Sequence, residues 1–143
     1  MKKRKLISIF VVTLMILNCF AMTAYAREDS WSSTIDITNY ITTSVSFSPS
    51  SDNKIAVSVD ADLYSTSTST TKLTNVTSTL TVKLYDVNTG SYVGSKSYGP
   101  QYTWDTYKVF SNLNSSHRYK VRFETSNSSY HLRGHVYVDN VYA

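Results

Sequence analysis

Two stretches near the end of the chain decide the fold: YKVRFE (119–124) and HLRGHVYVD (131–139). In both, every second residue is apolar or small, and these residues are Tyr119, Val121, Phe123, Leu132, Gly134, Val136 and Val138. Because successive side chains of a strand point to opposite faces of a sheet, this period of two predicts two half-buried β-strands.

The same alternation recurs through residues 27–143. It predicts strands at 33–38, 41–48, 54–63, 78–87, 117–125 and 131–139, and turn residues such as those of 49–53, 88–90 and 99–100 separate these from two further strands at 91–98 and 103–110. In 104–110 apolar residues occupy both faces, so the pattern does not assign an inward side there. The Ser- and Thr-rich segment 65–79 is predicted to be a long connection, although its threonines would also suit a strand. Together these features predict an all-β fold, a two-layer antiparallel β-sandwich of seven to eight strands.

The first 26 residues have the composition of a secretory signal peptide. Lys2–Lys5 are basic, an apolar run begins at Leu6, and Ala24-Tyr25-Ala26 has the small-x-small pattern of a cleavage site. This pattern predicts a secreted, extracellular bacterial protein consisting of one domain, residues 27–143. The alternative is an uncleaved membrane anchor, because 6–24 approaches the length of a membrane span. The Ser, Thr and Asn residues of that run favour cleavage, after which we expect no stable membrane insertion.

Loss of the signal peptide changes the charge and the available chemistry. The four basic residues at 2–5 account for the formal net charge of +4, so residues 27–143 are balanced and do not favour nucleic-acid binding. Cys19, the only cysteine, lies in the same segment.

His131 and His135 share a strand face, but residues four apart on a strand are about 13 Å apart, too far to chelate one ion. With no recognisable catalytic motif either, we expect no enzyme, no cofactor and no metal site.

One short motif resembles a known family. LNSSHRY (113–119), followed by Val121 and Phe123, resembles the corner that opens the penultimate strand of fibronectin type III and related immunoglobulin-like domains. The resemblance implies an immunoglobulin-like strand order. It also implies structural roles for two residues: the Tyr119 hydroxyl would bond to upstream backbone, and Leu113 would fill the core below it.

Basic residues occupy the polar positions of three predicted strands. If the immunoglobulin-like order holds, 78–87, 117–125 and 131–139 are neighbours and present one basic face, which consists of Lys83, Arg118, Lys120, Arg122, His131, Arg133 and His135. Such a face would attract a polyanion such as teichoic acid or an acidic polysaccharide. The alternative is an ordinary solvated sheet face.

Aromatic residues suggest a second, weaker binding site. They lie in turns and at strand edges of the second half of the chain and are Tyr92, Tyr98, Tyr102, Trp104 and Tyr130. Flat aromatic rings stack on sugars, and tyrosine and tryptophan are equally typical of protein-binding surfaces. The alternative is that these rings fill the core of a domain that is poor in leucine.

Charge is also divided along the chain. Six acids and two bases give residues 27–62 a net charge of −4, whereas eight bases and four acids give residues 63–143 a net charge of +4. The two parts would either neutralise each other within one domain or allow molecules to stack head to tail.

Taken together, the predicted signal peptide, the basic face and the aromatic residues lead us to expect a secreted binding module for a cell-wall polyanion or extracellular glycan. The alternative is a self-associating or protein-interaction protein, such as a matrix component or antagonist, without a small-molecule ligand.

Overall fold

The computed structural model describes residues 30–140, and the predicted signal peptide lies outside them. The eight strands are β1 (Ser30–Ile37), β2 (Tyr40–Thr42), β3 (Ile55–Tyr64), β4 (Ser78–Asp86), β5 (Tyr92–Gln101), β6 (Thr103–Phe110), β7 (Tyr119–Thr125) and β8 (His131–Asp139). Residues 30–140 contain no helix that could span a membrane.

The strands form two four-stranded antiparallel sheets, ordered β1-β8-β3-β6 and β2-β7-β4-β5. The predicted all-β class is confirmed, and the two sheets are those of a β-sandwich. Successive strands change sheet at every step except between β4 and β5. This connectivity is that of a jelly roll, in which eight strands form two Greek keys. The expected adjacency of the last two strands is therefore wrong, because β8 pairs with β1 and β3 while β7 lies in the other sheet.

The inward rows of both sheets form a single hydrophobic core. Val59 and Val136 lie on one sheet and Val82 and Phe123 on the other, and all are fully buried. Each fully buried side chain of this size contributes about 1.5–3 kcal/mol, so a domain of this length is stabilised without disulfides. Because the inward residues of each sheet lie in this core, the residues that alternate with them along the strands point to solvent.

The predicted strand 41–48 is interrupted. It begins as β2, but the Thr43 hydroxyl donates to the Val45 carbonyl oxygen over 2.9 Å, and Val45 is exposed rather than inward. The chain rejoins the sheet at Phe47, whose N–H donates to the Tyr119 carbonyl oxygen over 2.8 Å. A local side-chain bond to backbone has replaced part of the ladder, which threonine readily does.

Strand β5 continues through the expected break at Gly99 and Pro100. The pairing of β4 with β5 shifts register between Ser78 and Leu80, so a bulge absorbs these two residues. Proline is tolerated because β5 is the outer strand of its sheet and needs no amide donor on its free side. The chain then crosses at Tyr102 into β6 and the other sheet, where the Tyr102 carbonyl oxygen accepts from Leu63 N–H over 2.9 Å.

The segment between β3 and β4 contains no strand, only an isolated bridge between Tyr64 and Lys72. It is tied to its own sheet at two places. Leu73 N–H donates to the Leu63 carbonyl oxygen over 2.8 Å, and an Arg133 guanidinium nitrogen donates to the Ser69 carbonyl oxygen over 2.6 Å. The Ser- and Thr-rich sequence therefore forms a connection held against the β1-β8-β3-β6 sheet.

The corner before β7 has the contacts that the family resemblance implies. Tyr119 and Leu113 are both buried, and the Tyr119 hydroxyl oxygen accepts a hydrogen bond of 2.9 Å from the Asn114 N–H. Asn112, just before Leu113, has a φ of 60°, a left-handed conformation that asparagine tolerates better than most residues. These contacts fix where the chain enters β7, although the strand order around them is not immunoglobulin-like.

Candidate functional site

The basic residues expected on one face are divided between the two sheets. Lys83, Lys120 and Arg122 lie at outward positions of β4 and β7, whereas His131, Arg133 and His135 lie at outward positions of β8. Since β7 and β8 belong to different sheets, the two groups point away from opposite sides of the sandwich. The prediction of one continuous basic face is therefore wrong.

We call the outer surface of the β2-β7-β4-β5 sheet the cationic face. Its charged residues are Lys83, Lys120, Arg122 and Glu124. The Lys83 Nζ lies 2.6 Å from one carboxylate oxygen of Glu124, and the Arg122 Nε lies 2.8 Å from the other. The hydrogen bond that Lys83 donates to the Glu124 carboxylate raises the pKa of Lys83, so this lysine stays charged. One carboxylate is thus shared by two cations, and the face retains a positive excess.

Tyrosines stand beside these cations. The Arg122 guanidinium carbon lies 3.5 Å from the centre of the Tyr40 ring, which is half exposed. Lys120 is paired across the sheet with Tyr85, and the Tyr85 and Tyr92 rings meet edge to face with 5.7 Å between their centres. Tyr92 is exposed. The cationic face therefore combines positive charge with accessible aromatic surface.

Arg118 does not belong to this face. Its Nε donates to the Ser46 hydroxyl over 2.9 Å and one terminal nitrogen donates to the Ser48 hydroxyl over 3.1 Å, while the other contacts the Ser46 carbonyl oxygen. Its own N–H donates to the Asn88 side chain over 2.8 Å. Arg118 thus holds the segment between β2 and β3 against the start of β7, which is a structural role rather than the predicted ligand contact.

We call the outer surface of the β1-β8-β3-β6 sheet the acidic face. Its carboxylates at outward strand positions include Asp36, Asp60, Asp62 and Asp105. On the described strands of this sheet, Arg133 is the only lysine or arginine at an outward position, and it is paired with Asp36 on one side and Asp62 on the other. A polyanion would meet net negative charge here.

The His and Arg side chains of β8 already have partners on that face. The His131 Nδ1 lies 2.5 Å from a carboxylate oxygen of Asp36, and the Arg133 Nε lies 3.8 Å from the other. The Arg133 guanidinium also covers the Tyr64 ring at 4.5 Å, and the His135 Nδ1 lies 3.5 Å from the Thr34 hydroxyl. These contacts join β8 to β1 and β3, so they do not form a polyanion site.

The predicted aromatic site is not assembled. Tyr98 and Trp104 are buried, with 4% and 1% of their surface exposed, and Tyr102 and Tyr130 pack against the core while partly buried. Of that predicted set, only Tyr92 is an exposed surface residue. The interpretation that these rings fill a leucine-poor core is correct for Tyr98 and Trp104, which β5 and β6 turn inward between the sheets, while Tyr102 and Tyr130 pack against the edge of that core.

One polar cluster was missed by the sequence analysis. Asp86, at the end of β4, accepts hydrogen bonds from the N–H groups of Asn88 and Thr89 over 2.8 and 3.2 Å, and its other oxygen lies 2.6 Å from the His117 Nδ1. Burial raises the pKa of Asp86, but the bonds from His117 and the two backbone groups outweigh it and hold the pKa below its ordinary value. The pair joins the β4–β5 turn to the segment before β7 and so supports one end of the cationic face.

Within residues 30–140, no group of three or more His, Asp or Glu side chains could hold a metal ion. The Asp86–His117 pair joins the end of β4 to the segment before β7. It could have been suspected only from the Asp-x-Asn-Thr-Gly pattern of the turn, because His117 is 31 residues away along the chain.

Comparison with known proteins gives no relative. No protein-family model matches the chain, and no curated protein or solved structure matches it significantly.

Proposed function

We propose that this protein is a secreted bacterial binding module without enzymatic activity, and that its cationic face binds an anionic cell-wall glycan of the teichoic acid class. One observation carries the proposal: Lys83, Lys120 and Arg122 share that face with a single carboxylate, Glu124. Like charges on neighbouring strands destabilise a sheet, so an anionic ligand would relieve a cost that the free protein bears.

Lys120 is the cation best placed to meet the ligand. Its side chain forms no hydrogen bond or ion pair with any residue between 30 and 140, and it lies opposite Tyr85, one row away from Lys83 and Arg122. Lys83 and Arg122 both lie against the Glu124 carboxylate, and this contact reduces the conformational entropy that their side chains lose on binding. Phosphate groups of the glycan would thus contact the cations.

The tyrosines supply the second part of the recognition. Tyr40 and Tyr92 are exposed on the same face, at its two outer strands β2 and β5. Aromatic rings stack on the apolar faces of sugars and offer a hydroxyl for hydrogen bonding. A polymer that alternates phosphate with sugar or polyol would therefore find both charge and stacking surface on one sheet.

The test compares two double variants that remove the same charge from different places. Lys83→Gln with Lys120→Gln neutralises the cationic face and leaves the Arg122–Glu124 contact intact. Lys72→Gln with Lys108→Gln is the control, because Lys72 pairs with Asp62 beside the acidic face and Lys108 lies over the Tyr98 ring. Each lysine near an anionic surface contributes about 1 kcal/mol, so the first variant should bind roughly thirtyfold more weakly.

Binding is measured as retention of the purified protein on washed bacterial cell walls, with and without teichoic acid, at low and high salt. We expect retention that requires teichoic acid, falls at high salt and is lost only in the cationic-face variant. Equal retention of both variants, or retention unaffected by removal of teichoic acid, would contradict the proposal.

A second candidate function is self-association, favoured by the opposite charge of the two faces. The cationic face of one molecule would lie on the acidic face of the next, and such a head-to-tail contact generates an open filament rather than a closed dimer. Sedimentation velocity at rising protein concentration should then show growing, salt-sensitive assemblies that the Lys83→Gln, Lys120→Gln variant does not form. A monomer at every concentration would exclude it.

A further inference from the structure

Two exposed tyrosines lie in one row on the acidic face. Tyr137 of β8 and Tyr107 of β6 are both paired with Ser58 of β3, and 47% and 54% of their surfaces are exposed. The strand between them contributes only the small Ser58 to this row, and Ser32 of β1 lies on the far side of Tyr137. The two tyrosine rings therefore lie in the same cross-strand row, on either side of the small Ser58 side chain.

The spacing within this row suits a single ring between the tyrosines. Neighbouring strands lie about 4.8 Å apart, so two strand intervals separate the backbones of Tyr107 and Tyr137 by about 10 Å. Carbon atoms in contact are about 3.5–4 Å apart, so a ring held between two aromatic rings needs about 7–8 Å. One flat sugar ring therefore fits between the two tyrosine rings.

Hydrogen-bond acceptors flank the tyrosines. The next outward row contains His135, Asp60 and Asp105, and the two carboxylates stand directly opposite each other on β3 and β6. Neither carboxylate forms an ion pair with any residue in the described part of the chain. Such a like-charge pair destabilises the sheet and is relieved when hydroxyl groups donate to it.

We infer that Tyr107 and Tyr137 form a binding site for an uncharged sugar residue, with Asp60 and Asp105 accepting hydrogen bonds from its hydroxyl groups. The sugar is uncharged because the surrounding carboxylates repel anions, and it offers both an apolar face and several donors. This site lies on the opposite side of the sandwich from the cationic face and does not depend on the function proposed for that face.

The experiment titrates the purified full-length protein with cellohexaose and chitohexaose, two uncharged oligosaccharides, and follows binding by calorimetry. We expect binding of at least one of them that is insensitive to salt. Tyr107→Ala and Tyr137→Ala should each weaken it about tenfold, because each removes one stacking surface. Tyr92→Ala is the matched control, since Tyr92 is equally exposed but lies on the cationic face.

Further variants separate loss of binding from loss of folding. Tyr107→Phe and Tyr137→Phe keep the rings and should retain most of the affinity, and Asp60→Asn should weaken binding without unfolding the protein. The Lys83→Gln, Lys120→Gln variant should bind these sugars as the wild type does, even if it also fails to bind cell walls. No binding of either oligosaccharide by the wild type, or unchanged binding by both alanine variants, would overturn the inference.

Discussion

Each outer face of the sandwich has an arginine that covers a tyrosine ring and contacts a carboxylate, but the net charge around the two arginines is opposite. On the cationic face Arg122 covers the Tyr40 ring and contacts Glu124; on the acidic face Arg133 covers the Tyr64 ring and contacts Asp36. The surroundings differ, because Glu124 is shared with Lys83, whereas Arg133 lies between two aspartates. An arginine on a sheet therefore reveals little about ligands until its neighbours on adjacent strands are known.

The largest expected effect concerns the sheet beneath the acidic face. A Cβ atom at Gly134, in the middle of β8, would lie 2.1 Å from the Asp60 carbonyl oxygen and 2.5 Å from the Ala61 Cα. Since these are backbone atoms, they cannot move aside, and Gly134→Ala should destabilise the protein by roughly 3 kcal/mol. Gly94→Ala in the other sheet is the control, because nothing lies within 4 Å of its Cβ position. Urea denaturation measures both, and equal midpoints would contradict the strand packing described above.

A second prediction concerns the pair that supports the cationic face. The pKa of Asp86 is lowered in the folded protein, so this carboxylate contributes stability that is complete well above its ordinary pKa of 3.8 and is lost as the pH falls through the lower, folded value. Asp86→Asn should therefore lower the free energy of unfolding at pH 7 and flatten its decline below about pH 4. Denaturation curves recorded at a series of pH values between 7 and 2 measure the free energy of unfolding of the wild type and of this variant.

The matched control for Asp86→Asn is Asp52→Asn. Asp52 is a largely exposed carboxylate whose contact with Lys54 spans 3.8 Å. An exposed ion pair of this kind contributes little to stability, so this variant should follow the wild-type curve. If the two variants behaved alike, the Asp86–His117 contact would not be a stabilising one.

The smallest expected effect is that of removing a single arginine, and it is tested by comparing a variant of Arg122 with a variant of Arg133. Arg122→Gln should weaken retention on teichoic acid about fivefold, because it removes one cation, worth about 1 kcal/mol, from the proposed site. Arg133→Gln removes the same charge from the opposite side and should leave retention unchanged. Adsorption isotherms of the two variants on one cell-wall preparation measure the difference. A greater loss for Arg133→Gln would place the polyanion on the acidic face instead.

Agreement between sequence and structure is closest where the relevant contacts are local. The alternation in 54–63 and 131–139 located β3 and β8 to within a residue, because the period of two arises within each strand. The strand 103–110, which was located from the turn before it, matches β6. Two strand predictions were wrong. The predicted strand 41–48 is interrupted at Val45, where the Thr43 hydroxyl bonds to the backbone, and the expected break at Pro100 is absent because the edge strand β5 accommodates the proline. Both depend on a hydrogen bond or a strand position that a hydrophobic pattern does not encode.

The candidate site was less predictable than the fold. Lys83, Lys120 and Arg122 were identified from the sequence as outward cations on neighbouring strands, and β4 and β7 are indeed paired. Arg118 could not be excluded, because its partners Ser46 and Ser48 lie some 70 residues earlier. Tyr98 and Trp104 could not be assigned to the core, because a ring at the edge of a sandwich turns inward or outward according to the opposite sheet.

The sequence by itself determined that this chain forms antiparallel strands with one buried and one solvated face, because side-chain alternation and turn residues act over a few positions. Only the tertiary structure decided which strands are neighbours. It joined β8 to β1 and β3 rather than to β7, and so divided the basic residues between two faces of opposite charge. Inward residues such as Val136 bury equally well in either sheet, so the strand order depends on how all eight strands close around one core.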